Sequence, residues 1–223
     1  LDGINDHMLH FLENHDEQRI ASKAFAGDPW KALPAMVVSA TIDNGPVMIY
    51  FGQEVGEPGK GAEGFQTEDG RTTIFDYWGV PEHQKWMNGG KFDGALLSAE
   101  QKQLRQFYAD LLTLAGNNPA LTEGHYVDIT SHNMGNGNID GKVSAFLRFT
   151  GDERLLVLNS FNDKEQTIKL QIPPDAATAL GIDTQDAFIA RDLLWREVEV
   201  GLDNNLTFEL KLKPYSSFIF KIK

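Results

Sequence analysis

Near Gly124 the hydrophobic pattern changes period, and no other feature constrains the fold as much. From there to the end, apolar residues alternate or cluster in short runs. The runs fall at 125–129, 142–149, 154–161, 165–172, 186–193, 195–200, 206–212 and 215–222. Turn-forming residues separate them, as in Asn162-Asp163, Pro173-Pro174 and Asp203-Asn204-Asn205. A period of two puts successive side chains on opposite faces of a strand, so the spacing predicts an antiparallel β-sandwich with hairpin connections. The Gly/Asn-rich segment Asn133 to Gly141 reads as a flexible surface loop.

Before Gly124 the pattern mixes apolar runs with helical spacing. Met8 to Leu12 reads as a buried strand. Asp28-Pro29 reads as a helix start, with Asp28 as N-cap and Pro29 at the first helical position. Trp30, Leu33, Met36, Val37 and Ala40 follow at helical spacing until Asn44-Gly45-Pro46. Val47 to Phe51 is a second apolar run, and strand, helix and strand together form a βαβ unit of a parallel sheet. Ser98 and Gln101 form a capping box for a helix in which Leu104, Phe107, Tyr108, Leu111 and Leu112 share a face. That helix ends at Gly116-Asn117-Asn118-Pro119. The expected division is an α/β part over 1–122 and a β-sandwich over 123–223. Between Phe51 and Leu97 lies a long stretch carrying Phe65, Phe75, Tyr77, Trp78, Trp86 and Phe92, and a loop of that length is usually functional.

Charge and composition narrow the function. A net charge of −12 argues against nucleic acid, whose phosphates need clustered Lys and Arg, and fits a neutral or cationic ligand. The absence of cysteine excludes disulfides and thiolate metal sites. No apolar run is long enough to span a bilayer. The chain starts at Leu1 without a signal peptide, and since it does not begin with Met it reads as a processed form or a piece of a longer protein.

The stretch with most chemistry is Phe11-Leu12-Glu13-Asn14-His15-Asp16-Glu17-Gln18-Arg19. An apolar run that breaks into an amide, an imidazole and a carboxylate holds polar groups where a ligand reaches them. The same residues also fit an Asx-type turn with His15 merely solvated.

Phe11 to Asp16 resembles the motif that ends the seventh barrel strand in the α-amylase family, glycoside hydrolase family 13. Gly45-Pro46-Val47-Met48-Ile49-Tyr50-Phe51-Gly52-Gln53-Glu54 resembles the family's eighth-strand motif. The closing β part, ending in Leu212-Lys213-Pro214-Tyr215-Ser216, looks like the family's C-terminal domain. The resemblance covers the whole chain and implies the last βα units of a (β/α)8 barrel followed by an antiparallel β-sandwich. It also implies a retaining glycoside hydrolase acting on α-1,4-glucans such as starch or maltodextrin. In that family an Asp nucleophile and a Glu acid/base come from earlier strands, so this chain is expected to carry only the third carboxylate, Asp16.

By the same resemblance Asp16 accepts hydrogen bonds from sugar hydroxyls as positive charge develops on the ring, and His15 donates to the same sugar. Arg19, one helical turn beyond Asp16, is a candidate for the substrate site, where it could neutralise a carboxylate, or else a surface charge. Glu54 is a supporting residue that holds an Arg near the nucleophile, and Asn14 shapes the turn. Tyr77 and Trp78 are candidate sugar platforms. No cofactor is implied for this chain, and calcium is expected only in parts of the enzyme outside it. The implied partner is an α-glucan, with no nucleic acid and no membrane span, and a dimer through exposed barrel surface is one way to cover that surface. A polysaccharide substrate favours a periplasmic or extracellular place, and the compartment is otherwise open. Two rivals remain: a carbohydrate-binding or structural module built on the sandwich, with Trp195 and Tyr126 as its exposed aromatics, and a transglycosylase or branching enzyme on the same scaffold.

Overall fold

The computed structural model describes residues 3–60, 69–75, 80–183 and 187–223. The chain forms two compact units that interleave in sequence. One comprises Leu9–Ser39 and Pro46–Leu112; the other comprises Leu1–Met8, Ala40–Gly45 and Thr113–Lys223.

Helix α1 spans Leu33–Thr41, its residues through Ser39 in the first unit and its last two in the second, and follows a 3-10 turn at Pro29–Ala32. Asp28 caps this entry as expected: its carboxylate accepts from the Trp30 backbone N–H at 2.9 Å, and Pro29 needs no such bond. Helix α2 spans Pro81–Met87, and helix α3 spans Ala99–Asn117, passing into the second unit at Thr113. The capping box of α3 closes both ways. The Ser98 hydroxyl accepts from Gln101 N–H at 3.2 Å, and Gln101 Oε1 accepts from Ser98 N–H at 3.0 Å. Leu104, Phe107, Tyr108 and Leu111 recur at helical spacing and are buried, as are Met36 and Val37 of α1. Trp30 meets Phe107 with ring centroids 6.0 Å apart.

Among the described residues the run Met8 to Leu12 is not a buried strand. It makes one parallel bridge, His10 with Val47, in which His10 N–H donates to Pro46 O and Met48 N–H to His10 O. The parallel sense agrees with a βαβ unit, but Met8, Leu9 and Phe11 are exposed. A strand buries both faces only when elements cover both, and one bridge supplies a single narrow contact. The run Val47 to Phe51 is likewise a bridge and not a ladder among the described residues.

The second unit holds helix α4 at Pro119–Thr122 and strand β1 at His125–Asp128. Helix α5 spans Thr130–Gly135, strand β2 spans Val143–Phe149, β3 spans Arg154–Ser160 and β4 spans Gln166–Gln171. Helix α6 at Pro174–Ala179 precedes β5 at Phe188–Asp192, β6 at Glu199–Leu202, β7 at Thr207–Leu212 and β8 at Ser217–Ile222. Seven of the eight strands found among the described residues lie within runs read from the sequence; β6 starts four residues later than the run 195–200 and continues past it to Leu202. The strands pair antiparallel as a six-stranded sheet, β1-β2-β3-β8-β5-β6, and a two-stranded sheet, β4-β7. Leu147, Leu156, Leu158 and Phe220 of the large sheet share one core with Ile168, Leu170, Phe208 and Leu212 of the small one.

The segment Asn133 to Gly141 lies at the surface over most of its length, as expected, but its first residue does not. Asn133 belongs to α5 and is fully buried. Its amide donates to Ile129 O and Gln171 O, and its Oδ1 accepts from Gln171 N–H at 2.9 Å. A polar residue that pairs with an edge strand like this is part of the core, despite a loop-like composition.

Candidate functional site

The polar turn after Leu12 is organised by its own first amide. Asn14 Oδ1 accepts from Asp16 N–H at 2.8 Å and from Glu17 N–H at 2.9 Å, an Asx-type turn extended by one residue. Its tip carries His15 and Asp16, with side chains 46% and 73% exposed and His15 Nε2 lying 3.4 Å from Asp16 Oδ2. The Asx turn expected from the sequence is therefore present, and both side chains at its tip are exposed.

Arg19 must be corrected. It is neither at a ligand surface nor a solvated charge: none of it is exposed. Its guanidinium donates to Glu13 Oε2, Thr72 Oγ1 and Phe51 O, each at 2.9 Å. It also lies over the rings of Tyr50 and Phe51, with Cζ 4.1 Å and 5.2 Å from their centroids. A planar cation with five fixed donors can satisfy three segments at once, and that is why burial is tolerated here.

Glu13 completes the pair. It is 2% exposed, and its second oxygen accepts from Ile20 N–H at 2.6 Å. Burial pushes its carboxyl above the usual carboxylate range, while Arg19 and the Ile20 amide pull it down. Glu57 is also buried and holds the backbone on both sides, accepting from Gly59 N–H and Glu82 N–H.

Glu54 sits in a short 3-10 turn, Gln53–Val55, flanked by Gly52 and Gly56 at φ 86 and 73. Its Oε2 is buried and has no hydrogen-bond partner among the described residues. A buried carboxylate oxygen in that state has an acceptor site that no described donor fills. His83 of α2 stands near it, its ring 5.5 Å from Phe51 and 5.7 Å from Trp86. Burial lowers the His83 pKa from its ordinary value, against the opposing pull of Glu54. A histidine held neutral in the folded state loses stability as pH falls, because the unfolded chain takes up the proton first. Between about pH 7 and 5, His83→Phe is therefore expected to lose less stability than the unaltered chain. Urea melts at both pH values check this, and an equal pH slope in the two proteins would exclude His83 as its source.

Tyr77 and Trp78 lie outside the described residues. Trp86, expected in a long loop, lies in α2, half-buried and packed against Phe92 and Arg105. Sequence reasoning passed over Glu13, Tyr50, Gln53, Glu57 and Thr72. Glu13 alone left a signal, as a carboxylate inside an apolar run six residues before an arginine. Among the described residues no three His, Asp or Glu stand close enough to hold a metal ion, and no helix is long and apolar enough to cross a membrane. A cavity of about 710 Å³ in the other unit, lined by Gln171, Thr178, Asp183 and Asn205 among others, contains none of the candidate residues.

No protein-family model matches the chain. Among curated proteins it is 26% identical over 162 residues to alpha-amylase 2 of Dictyoglomus thermophilum, covering 73% of this chain and 24% of that protein. Its fold matches that of an AmyP variant crystallised with maltotriose, with a TM-score of 0.65 and 20% identity over 96% of this chain and 41% of that one. An Anoxybacillus alpha-amylase gives a TM-score of 0.64 at 16% identity, covering 99% and 39% of the two chains. A trehalulose synthase mutant gives 0.59 at 19% identity, covering 96% and 43%. The chain thus resembles the α-amylase family in sequence and has the fold of the end of its barrel and the closing β domain. It spans about a quarter of the curated relative and about two-fifths of these solved chains.

Proposed function

We propose that this chain is the C-terminal part of a retaining glycoside hydrolase of the α-amylase type that acts on α-1,4-glucans. The observation that carries the reading is the exposed His15–Asp16 pair on an internally bonded turn, at the position where the chain resembles the family's seventh-strand motif. In this reading Asp16 accepts hydrogen bonds from the hydroxyls of the sugar beside the scissile bond. Those bonds tighten as the ring gains positive charge, so they favour the transition state over the bound sugar. His15 donates to the same ring and fixes its orientation. Glu54 keeps an unfilled acceptor for an arginine supplied by the rest of the barrel. The nucleophile and the acid/base also come from that remainder. The exposed apolar side chains Leu9, Phe11 and Phe75 suit cover by the same missing strands, and a second copy is an alternative cover for the isolated chain. Hydrolysis and transfer differ only in whether water or a sugar hydroxyl takes the glycosyl group, and the role of Asp16 is common to both.

The test is a reducing-sugar assay on the purified chain with starch. It should release no sugar, because Asp16 alone has no nucleophile or proton donor to assist. Release that Asp16→Asn abolishes would mean that the other catalytic carboxylates lie within these 223 residues.

A further inference from the structure

We propose that the buried pair Glu13–Arg19 is a positioning device for the His15–Asp16 tip, rather than only a stabilising element of the core; this rests on the function proposed above. The two residues close the base of the turn. Glu13 stands immediately before Asn14, and Arg19 is three residues beyond Asp16. One carboxylate joins both ends: Oε2 accepts from Arg19 at 2.9 Å and Oε1 accepts from Ile20 N–H at 2.6 Å. Asn14 Oδ1 then ties the interior, on Asp16 N–H and Glu17 N–H. With the base and the interior both bonded, the tip has little freedom except in its side chains.

Arg19 also fixes where that turn stands. Its Nε reaches Thr72 Oγ1, its third arm reaches Phe51 O, and its backbone N–H donates to Gly70 O at 2.7 Å. Phe51 ends the run that leads into Glu54, so a single guanidinium ties the turn bearing Asp16 to the segment bearing the supporting carboxylate. Gly70 accepts that bond at φ +81, and a Cβ there would stand 2.1 Å from Ser22 Oγ, so the anchor is itself sterically fixed. Tyr50 covers the guanidinium and donates its own hydroxyl to Thr72 O at 3.0 Å, which holds the Thr72 acceptor in place. A buried ion pair of this kind is a weak source of net stability against a hydrophobic replacement, but it specifies geometry through its directional bonds. Small displacements of a charge-stabilising group carry a large penalty, so a rigid base under Asp16 has functional value.

The experiment uses the full 223-residue chain and four variants: Glu13→Gln, Arg19→Lys, Arg19→Met and Thr72→Val. Arg19→Lys keeps the charge but cannot reach three acceptors, and Thr72→Val removes one arm; both remain informative if Arg19→Met fails to fold. NMR reads amide hydrogen exchange at Asp16 and Glu17, the His15 ring resonances, and the maltotriose affinity seen at those resonances. The expected result is exchange at Asp16 and Glu17 about tenfold faster, a shifted His15 ring and weaker maltotriose binding, with exchange at Leu156 and Leu158 of β3 unchanged. Unchanged Asp16 and Glu17 exchange and an unmoved His15 ring, beside a lowered melting temperature, would reduce the pair to a core element. If maltotriose leaves the unaltered chain untouched, the glucan reading fails for this chain, while exchange and the His15 ring still decide whether the pair positions the turn.

Discussion

On the function proposed above, Asp16→Asn in the full-length protein is expected to lower kcat by about two to three orders of magnitude and to change KM far less. The substitution isolates charge. Asn has nearly the same size, and the turn does not depend on the Asp16 carboxylate, because Asn14 Oδ1 bonds its backbone N–H instead. The variant should therefore keep its fold and its ground-state contacts with the sugar hydroxyls. What it loses is the extra strength that a charged acceptor gives those bonds while the ring becomes oxocarbenium-like. An interaction realised mainly in the transition state appears in kcat. Steady-state kinetics on a soluble maltooligosaccharide give both constants. A near-normal kcat would leave Asp16 as a turn residue and remove the main support for the proposed function. A raised KM at unchanged kcat would make it a ground-state binder.

The turn that carries His15 and Asp16 was legible in the sequence because its signal is local: a short polar run, one amide spaced to cap it, and a break in an apolar pattern. The same locality explains the helix starts. Asp28 and Pro29, and Ser98 with Gln101, bond within three residues of themselves. The strands were legible for a related reason, since alternation is imposed on each strand by its own two faces. Arg19 was not legible. Two of its three acceptors lie 53 and 32 residues away, and nothing in the sequence near Arg19 points to Thr72 or Phe51. Met8 to Leu12 misled in the opposite way. Its composition is that of a strand buried on both faces, but burial is supplied by neighbours, and among the described residues it has a single bridge. Asn133 failed for a third reason: Asn and Gly favour turns by propensity, and a set of buried bonds to Ile129 and Gln171 overrides propensity.

The same long-range pairing makes Arg148 the residue whose loss should cost most in stability. It lies on β2, fully buried, and its guanidinium is shared among oxygens from separate segments of the second unit. It donates to Thr41 O at 2.8 Å, to Leu121 O at 3.3 Å, to Gly124 O at 3.1 Å, and to the Asn44 side-chain oxygen. Thr41 is the last residue of α1, and Leu121 lies in the final turn of α4. The terminal carbonyls of a helix have no partner inside it, and the partial negative charge there favours a cation. One arginine thus serves two helix ends. Burial pulls its pKa below the ordinary arginine value, with Asp43 and Asp6 opposing, yet arginine keeps its proton at neutral pH. Two effects compete in Arg148→Met. Removing an incompletely compensated buried charge is favourable, and methionine fills much of the space of the stem. Against that, several buried oxygens lose their donor together, at about 1–3 kcal/mol each where no water can replace it. The second effect should win, because more than one oxygen is stranded for the single charge removed. The expected net loss is about 3–5 kcal/mol, toward the upper end for a single substitution. Arg148→Lys should fall between, since an ammonium can reach fewer of the four oxygens. Urea unfolding followed by fluorescence and far-UV circular dichroism measures both variants. Limited proteolysis of Arg148→Met should open the chain between Thr41 and Asn44 sooner than in the unaltered protein, because that segment loses two of its bonds to β2. Equal stability of Arg148→Met and the unaltered chain would mean that water or relaxation satisfies the freed carbonyls, and that Arg148 does not join these segments.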